Sequence, residues 1–132
     1  MPSPTRILYV DDNRDSRELV SLILRYSDMN CEIITADSAE NAILLIKNRP
    51  FDFYILDYAL PIISGVELCL QIRKTDAETP ILFFTAMARS EDRAIGINAG
   101  ANDYLVKPDD LDALAEKVRR LLTEKKPASC FA

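Results

Sequence analysis

ILYVDDN, residues 7–13, is the stretch that decides the fold of this chain. Its first four residues are aliphatic or aromatic, as expected of a strand that is buried on both faces of a parallel sheet. Two aspartates and an asparagine follow at once, and a helical pattern begins at about Arg14. A buried strand that leads through a short polar turn into a helix is one β-α unit, and it predicts an α/β protein.

The same alternation of strand and helix continues outward along the chain. The other four predicted strands cover residues 31–35, 53–56, 81–84 and 103–106, and a helical pattern follows each of them. Five units with short connections predict a single flavodoxin-like (βα)5 domain, with a parallel sheet in the order 2-1-3-4-5 and helices on both faces. We expect the domain to span residues 1–124 and residues 125–132 to be a C-terminal tail or a truncated linker.

Two helix starts are predicted from single residues. Ser90 is expected to cap the fourth helix, and Asp109 or Asp110 is expected to start the fifth. Side chains of these types accept hydrogen bonds from the free amides of a first helical turn.

Composition excludes several classes of protein. Lys and Arg total 16 and Asp and Glu total 21, a net charge of −5, which makes direct nucleic-acid binding a poor hypothesis. The apolar runs are too short for a membrane span. The chain has no histidine and no glycine-rich phosphate loop. Three widely spaced cysteines predict free thiols and a cytoplasmic location.

Polar side chains stand where four of the predicted strands end. They are Asp11 and Asp12 after the first strand, Asp57 after the third, Thr85 after the fourth and Lys107 after the fifth. The carboxyl ends of parallel strands meet at one edge of the sheet, so these groups should converge there. Three clustered carboxylates repel one another unless cations join them, and the oxygen ligands favour Mg2+. An aspartate in such a place can also accept a phosphoryl group.

The motifs at these strand ends together resemble the receiver domains of two-component response regulators. The resemblance covers about Ile7 to Leu122, and it rests on five short motifs in the expected order: Asp11-Asp12, Asp57-x-x-x-Pro61, Ser64-Gly65, Thr85-Ala86 and Lys107-Pro108. Each motif alone is weak evidence, whereas the complete set is specific. The resemblance implies the same 2-1-3-4-5 strand order.

The resemblance implies a magnesium site and a phosphoacceptor. Asp57 would receive the phosphoryl group. Asp12, Asp57 and the backbone carbonyl of Ala59 would bind Mg2+ directly, and Asp11 would act through metal-bound water.

It also implies a switch. Lys107 would pair with Asp57 at rest and with the phosphoryl group afterwards, and the Lys107–Pro108 bond would be cis. Thr85 would hydrogen-bond a phosphoryl oxygen, and Tyr104 would rotate inward behind it. The surface of the fourth helix, fifth strand and fifth helix would then change.

The implied partners are proteins. A sensor histidine kinase or a histidine phosphotransfer protein would supply the phosphoryl group, and an unknown output protein or effector domain would respond. A homodimer through the switch surface is a further expectation. The chain would be a regulator that assists its own phosphoryl transfer and autodephosphorylation, and not an enzyme acting on an external substrate.

Five residues depart from the usual pattern of these receivers. Asp109 stands where Phe commonly follows Lys-Pro, and Ile62-Ile63 is more apolar than usual. Ala59 and Met87 are unreactive residues at positions that tune the loss of phosphate, and they predict slow loss.

Three other functions are weighed against this one. A Mg2+-dependent phosphohydrolase would need a second acid two residues after a nucleophile on the first strand, and a cap domain. A flavodoxin-like FMN protein would not place two aspartates where a phosphate binds. An interaction module without phosphorylation would not need the complete set of acids, Thr85 and Lys107. Taken singly, Asp11-Asp12 could be only a helix-capping turn, and Tyr104 only a core residue.

Overall fold

The structure, a computed structural model, describes residues 3–124 of the chain. Its helices and strands alternate in the predicted sequence: β1 Thr5–Val10, α1 Arg14–Arg25, β2 Cys31–Ala36, α2 Ala39–Asn48, β3 Phe53–Leu56, α3 Gly65–Thr75, β4 Ile81–Thr85, α4 Ser90–Asn98, β5 Asp103–Val106, a 3-10 turn Leu111–Ala113, and α5 Leu114–Glu124. The predicted tail, 125–132, lies outside the described residues. Within 3–124, no helix combines the length and the apolar character that crossing a membrane requires.

The sheet is parallel throughout and its strand order is β2-β1-β3-β4-β5, which confirms the predicted fold. Val10 pairs with Leu56, and Leu56 pairs with Phe83 on the next strand. The last residues of β1 and β3 are therefore level with each other. This register places the residues that follow the strands at one edge of the sheet.

Two separate cores cover the two faces of the sheet. Alternate residues of each strand point to opposite faces. In β1, Leu8 and Val10 belong to the core beneath α2, α3 and α4, whereas Ile7 and Tyr9 belong to the core beneath α1 and α5. Both faces are covered, so the strands are continuous apolar runs, as the sequence predicts.

Two helix starts differ from the prediction. Arg89, and not Ser90, is the N-cap of α4, because the Asp92 carboxylate accepts a hydrogen bond from the Arg89 amide at 3.2 Å. Asp110 is the N-cap residue of a 3-10 turn, but its carboxylate accepts from the Val106 amide at 2.8 Å and makes no capping hydrogen bond. A 3-10 turn follows, so α5 begins only at Leu114.

Ile62 occupies an unfavourable backbone conformation. Its φ is 68°, and its side chain is 92% exposed. The left-handed region costs an ordinary L residue roughly 1–2 kcal/mol, and a branched β-carbon makes the crowding worse. Because the side chain is almost fully exposed, burial does not offset this cost.

Ile62→Gly is expected to raise the free energy of unfolding by about 1 kcal/mol, after the entropy that glycine adds to the unfolded chain is subtracted. Chemical denaturation measures the change. Ile63→Gly is the matched control: Ile63 packs against the core, so this variant should lose about 1–2 kcal/mol. Destabilisation by Ile62→Gly would mean that the Ile62 side chain makes a packing contribution that its exposure does not reveal.

Candidate functional site

Strand alternation brings three of the predicted site residues to the same side of the sheet. Asp11 continues the alternation of Ile7 and Tyr9, and Asp57 continues that of Phe53 and Ile55. Lys107 likewise follows Leu105 by two residues. All three side chains are therefore on the face of the sheet that packs under α1 and α5. This explains how one ammonium group reaches two carboxylates on different strands.

Asp11 is completely buried and its carboxylate is fully engaged. Its Oδ2 accepts a hydrogen bond from the Tyr9 hydroxyl at 2.5 Å, and the same oxygen pairs with the Lys107 ammonium. Its Oδ1 accepts from the Asn13 amide at 2.9 Å. A buried carboxylate needs such partners to remain charged.

Asp57 is 8% exposed and lies on the other side of the same ammonium group. The Lys107 Nζ atom is 3.3 Å from Asp57 Oδ2, and the Ala59 amide is 3.3 Å from Asp57 Oδ1. Burial raises the pKa of Asp57 above its usual value, while the Thr85 hydroxyl and the Lys107 charge act against the rise. Asp57 is thus an almost fully buried carboxylate in a poorly solvated place.

The donor set fits a magnesium ion. Asp11, Asp12 and Asp57 each offer one carboxylate oxygen, and these oxygens all lie within 4.8 Å of one another. Asp12 is exposed whereas Asp11 and Asp57 are buried, so the cluster opens to solvent on one side. Three formal negative charges face one lysine. A hard divalent cation with several waters is the ligand that such a site favours.

The two predicted switch residues lie next to one loop residue. Thr85 is completely buried, and its Oγ1 accepts from the Met87 amide at 3.3 Å. The Tyr104 hydroxyl donates to the Met87 carbonyl oxygen at 2.7 Å. Tyr104 is 3% exposed, so its ring lies inward, and burial raises its pKa to about 12.

Gly96 leaves the room that this inward ring occupies. A β-carbon at Gly96 would lie 3.2 Å from Tyr104 Cδ2 and 3.1 Å from Phe83 Cδ2. The Phe83 and Tyr104 ring centroids are 5.6 Å apart. The small residue on α4 thus allows both rings to pack beneath the helix.

A second glycine lets α3 approach the site. A β-carbon at Gly65 would lie only 1.9 Å from the backbone oxygen of Asp57, so any larger residue would displace the loop that carries Asp57. The Ser64-Gly65 motif is therefore a requirement of close backbone approach. Ser64 caps the helix, since its side chain accepts from the Glu67 amide at 3.1 Å.

This edge of the sheet holds the predicted residues Asp11, Asp12, Asp57, Ala59, Thr85 and Lys107, whereas Tyr104 lies inside β5, where it pairs with Phe83. The Lys107–Pro108 bond is cis. The placement of Ala59 is shown by its amide, while its carbonyl as a metal ligand stays a prediction. The sequence analysis missed Tyr9 and Arg17, whose Nη1 atom donates to the Asp11 carbonyl at 2.9 Å. The alternation of Tyr9 and Asp11 along β1 is a signal that could have identified Tyr9.

Comparisons with known proteins agree with this geometry. The family model described as "Response regulator receiver domain" matches residues 7–119. Response regulator MprA of Mycobacterium sp. (strain KMS) is 40% identical over 124 residues, which are 94% of this chain and 53% of that protein. The chain thus spans about half the length of the curated relatives it matches.

Solved structures show the same fold. A putative response regulator from Chloroflexus aurantiacus has a TM-score of 0.85 at 35% identity, covering 92% of this chain and 99% of that one. Response regulator TrrA from Thermotoga maritima, in complex with Mg(2+)-BeF, has a TM-score of 0.79 at 37% identity, covering 89% of this chain and 98% of that one. By sequence and by fold, this chain belongs to the response regulator receiver domain family of two-component signalling.

Proposed function

We propose that Asp57 accepts a phosphoryl group from a phosphohistidine of a partner protein, in a reaction that depends on Mg2+. The observation that carries this proposal is the position of Lys107, whose ammonium group lies between the buried carboxylates of Asp11 and Asp57. A cation in that place can stay with Asp57 before transfer and move to the phosphoryl oxygens after it. The solved structure of TrrA with Mg2+ and BeF supports the same site by similarity.

The proposed reaction moves one phosphoryl group from a histidine nitrogen to an Asp57 oxygen. One Asp57 carboxylate oxygen forms a bond to phosphorus as the P–N bond of phosphohistidine breaks, and the imidazole nitrogen keeps the electron pair. This chain has no histidine, so the phosphohistidine would lie outside it. Asp12, Asp57 and the Ala59 carbonyl would hold Mg2+ directly, with Asp11 acting through water. When bound there, the ion would supply positive charge that stabilises the phosphoryl group during transfer.

Acetyl phosphate tests this proposal without a kinase. Intact-mass spectrometry of the chain should show one added phosphoryl group in the presence of Mg2+, and none when EDTA removes the metal. Modification at several sites, or modification that EDTA does not affect, would contradict the proposal.

Asp12→Ala is expected to weaken Mg2+ binding more than Asp11→Ala does. Asp12 would be a direct ligand, so its loss should cost about a hundredfold in affinity, whereas the water-mediated contact of Asp11 should cost about tenfold. Calorimetric titration with MgCl2 measures both. Asp28→Ala, on an 88% exposed side chain beyond the end of α1, is the control and should bind as the parent does. Equal losses would contradict this division of roles.

We further propose that phosphorylation changes the surface formed by α4, β5 and α5. Side chains from all three elements meet at Asp103 of β5. The guanidinium group of Arg93, on α4, lies 3.1 Å from the Asp103 carboxylate, and the ammonium group of Lys117, on α5, lies 2.6 Å from it. Arg93 also donates to the Tyr104 carbonyl oxygen at 2.9 Å. Movement of Tyr104 would therefore disturb contacts that join all three elements. The Tyr104 ring already lies inward in this structure, so the switch would require an outward orientation to be populated before phosphorylation.

Addition of beryllofluoride and Mg2+ is expected to shift amide resonances well beyond the Asp57 loops. Met87, Tyr104 and the residues of α4 should move, because Met87 is hydrogen-bonded to both Thr85 and Tyr104. Two-dimensional 1H–15N NMR measures the shifts. The start of β2, at the far edge of the sheet, is the internal control. Shifts confined to residues beside Asp57 would exclude this route of output.

Similarity to response regulators suggests which proteins this chain would contact, and we propose them as its partners. A sensor histidine kinase or a histidine phosphotransfer protein would donate, and an unknown output protein or effector domain would respond. DrrB, described as a Thermotoga maritima OmpR/PhoB homolog, is 31% identical, and this chain covers 54% of it. We propose that residues 1–124 form the receiver part. We also propose that the α4-β5-α5 surface contacts the output partner and can pair with the same surface of a second copy. The chain would be a regulator that assists its own phosphorylation and dephosphorylation.

A further inference from the structure

We propose that Tyr9 is a positioning residue of this site: its hydroxyl shares Asp11 Oδ2 with Lys107 and thereby leaves Lys107 free to move to Asp57. The inference rests on the proposed magnesium and phosphorylation site, and it adds a residue of β1 to that site.

The Tyr9 hydroxyl links the core of the sheet to the acidic cluster. Its side chain is completely buried in the core under α1 and α5, yet its hydroxyl reaches Asp11 Oδ2 at 2.5 Å. A phenol keeps its proton at neutral pH and an ionised carboxylate only accepts, so Tyr9 is the donor in this hydrogen bond. The hydroxyl is a fixed donor on a rigid strand, directed at the edge of the acidic cluster.

Two donors on one carboxylate oxygen weaken each other's hold. Lys107 and Tyr9 both bind Asp11 Oδ2, while the Asn13 amide binds Oδ1. The hydroxyl takes up part of the negative charge that would otherwise hold the ammonium group. Asp57 Oδ2 is only 3.3 Å from the same Nζ atom, so a small movement transfers Lys107 between the two acids. Tyr9 favours that movement.

Tyr9→Phe removes the hydroxyl and keeps the ring that fills the core. Lys107 then becomes the sole side-chain donor that remains on Oδ2 among the described contacts, so it should be held more tightly. Asp11 loses a hydrogen bond that stabilises its negative charge, and this stabilisation is greatest in the metal-free site. Mg2+ binding should therefore become tighter by about threefold, and phosphorylation at saturating Mg2+ should slow by about threefold to tenfold. The two effects have opposite signs, whereas loosening of the site would weaken both.

The experiment uses the chain as it is, with MgCl2 titration by calorimetry and the rate of labelling by acetyl phosphate. Tyr54→Phe is the matched control, because Tyr54 is 1% exposed in the neighbouring strand but belongs to the opposite core. It should leave both measurements unchanged. A Tyr9→Phe variant that matches the parent in both, or that loses both functions together, would overturn the inference.

A double-mutant cycle gives a second, independent measurement. In an Asp11→Asn background the carboxylate is gone, so Tyr9→Phe should no longer change Mg2+ affinity. The same change of affinity in both backgrounds would show that Tyr9 does not act through Asp11. If the parent chain itself fails to bind Mg2+, the proposed function fails; if the parent binds and Tyr9→Phe has no effect, only the role of Tyr9 fails.

Discussion

Asp57→Asn is expected to abolish labelling by acetyl phosphate, with a loss of at least about a hundredfold in rate, because an amide is not a nucleophile for phosphorus. The change keeps the size of the side chain and removes its charge. Burial first, and then the nearby charge of Asp11, raise the pKa of Asp57, so its charged form is costly in the folded chain. The variant should therefore fold at least as well as the parent, which separates loss of chemistry from loss of structure.

The matched control for this loss is Asp52→Asn. Asp52 is an exposed acid at the opposite end of β3, where its carboxylate accepts a hydrogen bond from the Arg6 amide at 2.8 Å. Intact-mass spectrometry over time should give labelling of Asp52→Asn at the parent rate and none of Asp57→Asn. Undiminished labelling of Asp57→Asn would move the phosphoacceptor to another residue.

Arg73→Ala is expected to have the largest effect on stability, lowering the free energy of unfolding by about 3 kcal/mol. The Arg73 guanidinium donates to the carbonyl oxygens of Asp76, Thr79 and Gly100 at 3.0, 2.8 and 2.9 Å. It also donates to Asn102 Oδ1 at 3.0 Å, an oxygen that accepts in addition from the Ile81 amide at 2.9 Å. One planar cation thus joins the end of α3 to the loop before β4 and to the loop before β5.

The shape of the Arg73 group matters as much as its charge. Arg73→Lys keeps the charge but offers one point of contact, so it should still lose about 2 kcal/mol. Arg120→Ala, on a 58% exposed side chain paired with Glu124, is the control and should change stability by less than about 0.5 kcal/mol. Urea denaturation measures all three variants. A loss in Arg73→Ala no larger than that of the control would show that water replaces the guanidinium at these carbonyls.

Much of the fold could be predicted because its signals are local. Residues 53–56 are a four-residue apolar run between a proline and an acidic turn, and they form β3 with the predicted bounds. β5 also has its predicted bounds, Asp103–Val106. In both cases strand propensity, burial and flanking turn residues indicate the same element. Because these local signals agree, the order of strands and helices could be predicted from the sequence.

The errors arose where a side chain chose between two local partners. Asp110 could accept from the first amides of a helix or from the Val106 amide behind it, and it does the latter. Asp92 and Ser90 both stood near the start of α4, and Asp92 made the capping contact. The energies of such alternatives differ by a fraction of a hydrogen bond, so residue type alone does not separate them. Arg73 gave no local signal, because its partners lie up to 29 residues away.

The sequence by itself determined the class of fold, the set of polar residues that meet at the carboxyl edge, and the receiver family, since each depends on residue type and short-range order. Only the tertiary structure decided which of these groups touch. It put Lys107 between Asp11 and Asp57, directed the Tyr9 hydroxyl at Asp11, and turned Tyr104 inward above Gly96. These contacts join residues on different strands or across the core, and a few tenths of an ångström in packing set them. Periodicity brings side chains to the same face, but the packed core fixes the distance between them.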